Sequence, residues 1–275
     1  MKHTTSRSSK LYISFIFLFL YLPIFVLILF SFNQSKSRNL FTGFTLNWYK
    51  ELFQNTMIIK AFGVTLLVAA ISSVVATIIG TAAAVGIHRM KKPARMAIMY
   101  GTYIPVVNPE IVTGVSMLLL FGVLRGALSL VGLDFEMGLG TLIIAHITFN
   151  LPYVILSVSP KLRQMNKNLY EAALDLGCNP TQAFFKVVVP EIWPGIVTGF
   201  LMAVTYSIDD FVISYFTSGT EQTLPIAVYS MTRRKVSPEI NALSALLFVV
   251  VLSILLIMNY ADVKSERALK KEARL

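Results

Sequence analysis

The stretch PKLRQMNKNLYEAALDLGCNPTQAFFKVVVPEIWPG, residues 160–195, lies between two long apolar segments and is itself too polar to cross a membrane. Its apolar residues recur at spacings of three and four, which predicts an amphipathic helix with one apolar stripe and charged residues elsewhere. The stripe comprises Leu162, Met165, Leu169, Ala172 and Leu176. A helix of this kind can connect two spans or lie on a lipid surface. The residues that follow it indicate its local structure more closely.

A tight break follows this amphipathic helix. Gly177 can take the left-handed conformation that ends a helix, Asn179 is a favourable N-cap, and Pro180 suits the first position of the next helix. Pro190 is expected to stop that next helix. The sequence therefore predicts two short helices in this loop, separated at residues 177–179.

The rest of the chain is strongly apolar, with 55% hydrophobic residues, 14% charged residues and a mean hydropathy of +0.69. Six segments are long enough, at roughly 20 residues or more each, to span a bilayer as helices. They are residues 11–32, 61–87, 97–123, 139–159, 193–216 and 242–260. We predict an all-α, polytopic membrane protein with a single transmembrane domain, residues 1–275, a core at about 61–260, and the loop 161–192 outside the membrane. The first segment lacks a small-residue cleavage site and is expected to be a retained span.

Charge predicts the orientation. Residues 1–10, 88–96, 161–192 and 261–275 hold 16 of the 24 Lys and Arg residues, so these segments are expected to be cytoplasmic, with both termini inside. The net charge of +10 is then explained by topology and anionic lipid, without a nucleic acid partner. The single cysteine, Cys178, excludes an intrachain disulfide and a cysteine-rich zinc site, and we expect no metal site or catalytic residue in this chain.

Two adjacent acids lie in the fifth segment, in TYSIDDFVISYF, residues 205–216. Asp209 lies 15 residues after Pro194, or about 22 Å along a helix, which places the pair in the outer third of the membrane. A carboxylate at the centre of a membrane helix costs about 2.5–3.5 kcal/mol, so even there the acids should avoid lipid. Because neighbouring helical residues point about 100° apart, we predict that one of Asp209 and Asp210 faces a pore and the other packs against or caps a helix.

A third acid, Glu110, follows two prolines in YIPVVNPEIVTGVS, residues 103–116. Pro105 and Pro109 remove backbone donors, so the third helix should kink or open there. Helices broken at membrane depth are tolerated where they line a cavity, and transporters use such breaks for binding sites, so Glu110 is a candidate to line a cavity. The alternative is that Glu110 lies in interfacial water at a helix mouth.

Aromatic residues accompany the acids and indicate which charge a bound solute would carry. Tyr206 precedes Asp210 by four residues and is expected on the same helix face. Carboxylates beside aromatic rings suit an alkyl-ammonium ion, because the acid pairs with the charge and the rings contact the stem. The predicted spans contain no basic residue, so an anionic cargo is disfavoured.

The loop resembles the signature of ABC-importer permeases. EAALDLG, Glu171–Gly177, is followed after nine residues by VVVP, Val187–Pro190, where the family has Ile-x-Leu-Pro. The resemblance implies a type I ABC-importer permease fold and a loop that docks on a separate ATPase. It assigns coupling to Glu171, Ala172, Ala173, Gly177, Asn179 and Pro190. The chain has no G-x-x-x-x-G-K-[ST] phosphate loop, so ATP and Mg²⁺ are expected on the partner ATPase, with no cofactor on this chain.

Further segments resemble the permeases of spermidine/putrescine ABC importers: HITFNLPYVI (146–155), SIDDFVISYFTSG (207–219), LPIAVYSM (224–231) and VSPEINAL (236–243). This resemblance implies polyamine uptake across a bacterial inner membrane, with translocation residues Asp209, Asp210, Tyr206 and Glu110. The implied partners are a second, non-identical permease, an ATPase dimer and an external binding protein.

Two alternatives remain at this stage. The permease could carry another small cation, such as a thiamine-like compound, or a metal complex. A rhomboid-like intramembrane serine protease is the enzyme alternative, since GVSM contains Ser116 and His146 lies in the next span. The protease alternative would leave the loop signature unexplained, and we expect Ser116 to pack between helices and His146 to be a hydrogen-bonded structural residue.

Overall fold

The computed structural model describes residues 7–35, 40–234, 239–250, 252–253 and 256. These residues form helices and loops, and no strand occurs among them. The helices are α1 (Arg7–Ser31), α2 (Asn47–Gln54), α3 (Thr56–Arg89), α4 (Lys92–Val107), α5 (Glu110–Ser129), α6 (Leu139–Gln164), α7 (Lys167–Asp175), α8 (Pro180–Ala183), α9 (Val189–Asp209), α10 (Val212–Thr217), α11 (Leu224–Arg234) and α12 (Glu239–Val250). The all-α prediction is confirmed.

Among the described residues, five helices are long and apolar enough to cross a membrane: Lys10–Ser31, Thr56–Arg89, Glu110–Ser129, Leu139–Gln164 and Pro180–Asp209. Each corresponds to one of the first five predicted spans. The shorter apolar helix α12 is the described part of the sixth, and most of residues 251–260 lie outside the described residues.

The chain forms two compact units. One comprises the described parts of Met1–Ile58 and Val228–Leu275, and in it the indole Nε1 of Trp48 donates a hydrogen bond of 2.6 Å to the carbonyl oxygen of Asn33. The other, Ile59–Ala227, contains the polar loop and all of the candidate site residues.

The third predicted span is divided. Asn108 and Pro109 are extended (ψ 144° and 135°), so α4 ends at Val107 and α5 begins at Glu110. The predicted opening at this proline pair is confirmed, and it occurs at Pro109, since Pro105 stays inside α4. A proline disfavours helical backbone at the residue before it, which explains the extended Asn108.

The predicted stop at Pro190 is wrong. The helix continues from Pro180 to Asp209 through one π-helical turn, Phe184–Val188, in which the backbone N–H of Val189 bonds to the carbonyl of Phe184. Proline interrupts a regular helix because it lacks an N–H and clashes with the carbonyl four residues earlier. The wider turn lies just before Pro190 and shifts this hydrogen-bond register, so the helix that begins at Pro180 in the polar loop continues without a break into the fifth span.

Helices α6 and α9 pack closely at small residues. Gly195, Gly199, Ala203 and Ser207 are all buried and recur every four residues along α9, so they share one face. A Cβ atom at Gly195 would lie only 2.9 Å from the carbonyl oxygen of Ser157. Small residues of this kind let two membrane helices approach at the level of their backbones.

Replacing Gly195 with alanine should destabilise the protein, because the methyl group would meet backbone that cannot move aside. Overpacking of this kind costs about 1–3 kcal/mol. Gly86 lies in α3 with open space around it, so Gly86→Ala should stabilise the helix by up to about 1 kcal/mol. Thermal unfolding of the purified transporter measures both variants, and equal shifts would contradict the close approach of α6 and α9.

Candidate functional site

The fifth span ends at the two aspartates. Helix α9 stops at Asp209, Asp210 is extended (φ −66°, ψ 120°), and α10 follows. The carboxylate of Asp210 accepts hydrogen bonds from the backbone N–H of Ser214 (2.7 Å) and of Ile213 (3.2 Å). It therefore satisfies amide donors at the start of α10, as an N-cap does. The prediction of one continuous helix over 193–216 is wrong, and so is the shared helix face of Tyr206 and Asp210.

The two carboxylates have different surroundings. Asp210 is buried, with 7% of its surface exposed, and caps α10, whereas the neighbouring Asp209 is exposed at the end of α9. The capping half of the predicted division of roles is confirmed for Asp210. That Asp209 faces the transport path stays a prediction.

An aromatic cluster lies beside the end of α9. The ring of Tyr206 is 4.4 Å from that of Tyr153 and 6.1 Å from that of Phe149, measured between centroids. Phe149 and Tyr153 are four residues apart on α6, and their rings are 5.4 Å apart. Sequence reasoning singled out Tyr206 and missed these two partners, although their spacing in HITFNLPYVI places them on one helix face.

Glu110 joins this cluster from another helix. It is the first residue of α5, is exposed, and interacts electrostatically with Asp209, Asp210 and Tyr153. Glu110 therefore lies within electrostatic range of the two aspartates, and Tyr206 is linked to this group through Tyr153. The acids lie at breaks in two different helices. Broken helices that surround polar groups at membrane depth are typical of transporter binding sites.

An open pocket of about 220 Å³ lies next to the break between α4 and α5. Its lining includes Pro105 and Asn108 at the break and Phe149 of the aromatic cluster. The pocket therefore extends from the broken helix to the Phe149 ring of α6.

Basic residues are absent from this cluster, but one occurs further along the same helix. Helix α5 extends to Ser129 and includes Arg125, so the expectation that the spans hold no basic residue needs correction. Arg125 lies 15 residues after Glu110, which is about 22 Å along a helix. It is too distant to neutralise the carboxylate of Glu110.

His146 is a buried structural residue, as predicted. Its Nε2 atom is 3.0 Å from Ser214 Oγ and 3.6 Å from Asp210 Oδ2. Ser116 is exposed and lines the pocket, so the expectation that it packs between helices is wrong. The two residues of the protease alternative therefore have different surroundings.

The single amphipathic helix predicted for the polar loop is wrong. Leu162 belongs to α6, Met165 is extended (ψ 135°), and α7 begins at Lys167, where the side chain of Asn166 caps it by accepting a hydrogen bond from the backbone N–H of Asn168. The remaining residues of the predicted apolar stripe, Leu169, Ala172 and Leu176, are exposed.

The break after α7 has the predicted local structure. Gly177 has a positive φ of 86°, and Asn179 Oδ1 accepts a hydrogen bond of 2.8 Å from the backbone N–H of Gln182. Glu171, Ala172, Gly177 and Asn179 are exposed and Ala173 is buried. Helix α7 thus presents one face to solvent while its other face packs on the membrane domain.

A bundle of membrane helices with a polar helix pair between two spans, and with broken helices around a charged cluster, has the architecture of a transporter permease. Two solved structures of bacterial ABC transporters share this fold. One, involved in the import of the acidic polysaccharide alginate, matches 93% of this chain and 98% of its own chain with a TM-score of 0.69 and 14% identity. An alginate ABC transporter in complex with a periplasmic protein matches 92% of each chain, with a TM-score of 0.71 and 20% identity.

Residues 76–271 match the family described as binding-protein-dependent transport system inner membrane component, and the chain belongs to this family. It is 39% identical over 215 residues to the putrescine transport system permease protein PotI of Escherichia coli K12, covering 78% of this chain and 75% of PotI. It is 34% identical over 216 residues to the spermidine/putrescine transport system permease protein PotC of Haemophilus influenzae, covering 78% of this chain and 80% of PotC. The protein is thus a multi-pass permease subunit, a non-catalytic role in transport.

Proposed function

We propose that this chain forms, with a second non-identical permease, the path by which putrescine or spermidine enters the cell. The observation that carries the proposal is the cluster of Glu110 and Asp209 with the rings of Tyr153 and Tyr206. A polyamine has an ammonium group at each end of an alkyl chain, so its charges can pair with carboxylates while its stem contacts the rings. Similarity to PotI and PotC, whose names specify the same cargo, supports this assignment.

The energy is proposed to come from ATP on a partner ATPase dimer that binds the exposed face of α7. A partner can drive a conformational change only by binding two states differently. The unbroken helix from Pro180 to Asp209 supports such a link, because movement at the loop would be carried along one rod to the acid cluster. In this proposal Glu171, Ala172, Gly177 and Asn179 contact the ATPase, and Ala173 packs α7 against the domain. Pro190 belongs to the same coupling segment and follows the π-helical turn that lets the helix continue.

The remaining partners follow from the same assignment. An external binding protein is proposed to deliver the polyamine, and both termini are proposed to lie in the cytoplasm of a bacterium, with the basic segments against anionic lipid. ATP and Mg²⁺ would bind the ATPase, and this chain would bind no cofactor and no nucleic acid.

Proteoliposomes that contain the complete transporter and its binding protein should accumulate labelled putrescine or spermidine when ATP is supplied, and should lose uptake when the ATPase is omitted. Succinate, a four-carbon dianion, is the matched control for the four-carbon dication putrescine and should not be accumulated. Uptake of another organic cation in place of both polyamines would change the cargo and keep the permease role. Polyamine uptake by this chain without ATPase would overturn the coupling.

A further inference from the structure

His146 contacts the helix break from a neighbouring helix. It lies on α6 with 1% of its surface exposed, and its Nε2 atom faces both Ser214 Oγ, at 3.0 Å, and Asp210 Oδ2, at 3.6 Å. Within the described part of the chain, its Nδ1 atom has no hydrogen-bond partner. A single ring nitrogen therefore provides the polar contacts of this side chain with α10.

These contacts span the first turn of α10. Asp210 caps the helix, and its carboxylate accepts a hydrogen bond from the backbone N–H of Ser214. With six residues, α10 is too short to be stable by its own hydrogen bonds. Its position must come from packing, and the packing includes Phe216 against Gly114 of α5 on one side and His146 of α6 on the other.

A buried carboxylate also needs polar partners, because burial without them is costly. Asp210 has two backbone amides and the edge of His146 around its oxygens. Loss of the imidazole would remove the polar neighbour of Asp210 Oδ2 on α6 and the hydrogen-bond partner of the Ser214 hydroxyl. The break between α9 and α10 would then lose part of the polar contacts that stabilise it.

We propose that His146 is a positioning residue for transport: through Nε2 it fixes Asp210 and Ser214, and so keeps α9 ended at Asp209 with the Asp209 carboxylate exposed. The role in transport rests on the proposed function above. The structural part, that His146 sets the exposure of position 209, is independent of the cargo and can be measured without it.

Glutamine and asparagine distinguish this role from simple core filling. The terminal amide of glutamine reaches the place of Nε2, whereas the shorter asparagine amide reaches only the place of Nδ1. In the complete transporter, His146→Asn should lower the maximal rate of putrescine uptake about tenfold or more, the size expected when a hydrogen bond near a charged group is lost. His146→Gln should stay within about threefold of the unchanged chain, because the Nε2 contact is kept.

The cargo-independent test uses the chemistry of position 209. Cys178 is the only cysteine, so Cys178→Ser gives a cysteine-free chain in which Asp209→Cys introduces a single thiol. Its rate of modification by a cationic methanethiosulfonate reagent, followed by the mass of this chain in the purified transporter, reports its exposure. His146→Asn should change this rate at least about threefold and His146→Gln should not, since only the first removes the Nε2 contact.

Equal modification rates in both variants would overturn the positioning role. If His146→Asn does not assemble, Ser214→Ala replaces it, because it removes the second partner of Nε2 and leaves the Asp210 cap; it should shift the rate at least about twofold, and an unchanged rate would also overturn the role. If the thiol rates change as expected while the unchanged transporter takes up no polyamine, the proposed cargo fails and the positioning role stands.

Discussion

Asp209→Asn should nearly abolish polyamine uptake by the assembled transporter. Asparagine has the size of aspartate, so helix α9 and the cap at Asp210 are kept, but the neutral amide cannot pair with an ammonium group. A hydrogen bond to a charged group contributes about 1.5–3 kcal/mol, which corresponds to a loss of about ten- to a hundredfold in Vmax/KM. Uptake of labelled putrescine into proteoliposomes over a range of concentrations measures this ratio.

Two controls make this result specific. Asp209→Glu keeps the charge and should retain substantial uptake, and Asp134→Asn removes an exposed carboxylate from the loop between α5 and α6 and should have no effect. Asp210→Ala should act differently, since losing a helix cap costs about 0.5–2 kcal/mol and lowers the stability of the transporter. Native uptake by Asp209→Asn would remove this carboxylate from the transport path.

Local rules explain what the sequence predicted well. The left-handed Gly177, the Asn179 cap and the helix start at Pro180 each depend on residues within four positions of one another. The opening before Pro109 has the same short range, because a proline restricts the residue that precedes it. Such features can be inferred without knowing the fold, and the turn from Gly177 to Gln182 is of this kind.

The wrong predictions occur where the structure depends on a contact between distant residues or on a shifted hydrogen-bond register, which local sequence rules do not describe. Apolar residues continue through 193–216, so hydropathy predicts one span, while the break depends on Asp210 accepting amide bonds in a buried site beside His146. An aspartate before Phe211 and Val212 is a possible N-cap signal, but it competes with an unbroken apolar run. The contact of Tyr153 with Tyr206 joins residues 53 positions apart, so local spacing does not reveal it. The helix stop predicted at Pro190 is wrong because a π-helical turn accommodates the proline.

Gly177→Val in the polar loop should release the ATPase from the permease. Gly177 has a φ of 86°, a conformation in which a β-branched residue is a severe outlier, so valine would displace the turn that sets α7 against the Asn179 cap. Glu171→Lys, which reverses an exposed charge on α7 without changing the turn, should weaken the same contact. Co-purification of the ATPase with an affinity-tagged permease measures both, and ATP-driven uptake should fall with it.

Gly132 provides the matched control for this experiment. It has a similar positive φ of 76°, has open space around it, and lies in the loop between α5 and α6, which charge predicts on the opposite side of the membrane. Gly132→Val imposes the same backbone strain, so it should leave ATPase binding intact if the effect of Gly177→Val is local to a docking surface. Loss of the ATPase in both variants would indicate general misfolding, and retention in both would place the ATPase contact elsewhere. Only the separate loss in Gly177→Val, together with weakening by Glu171→Lys, would identify α7 and its turn as the surface through which ATP hydrolysis moves the helix that ends at Asp209.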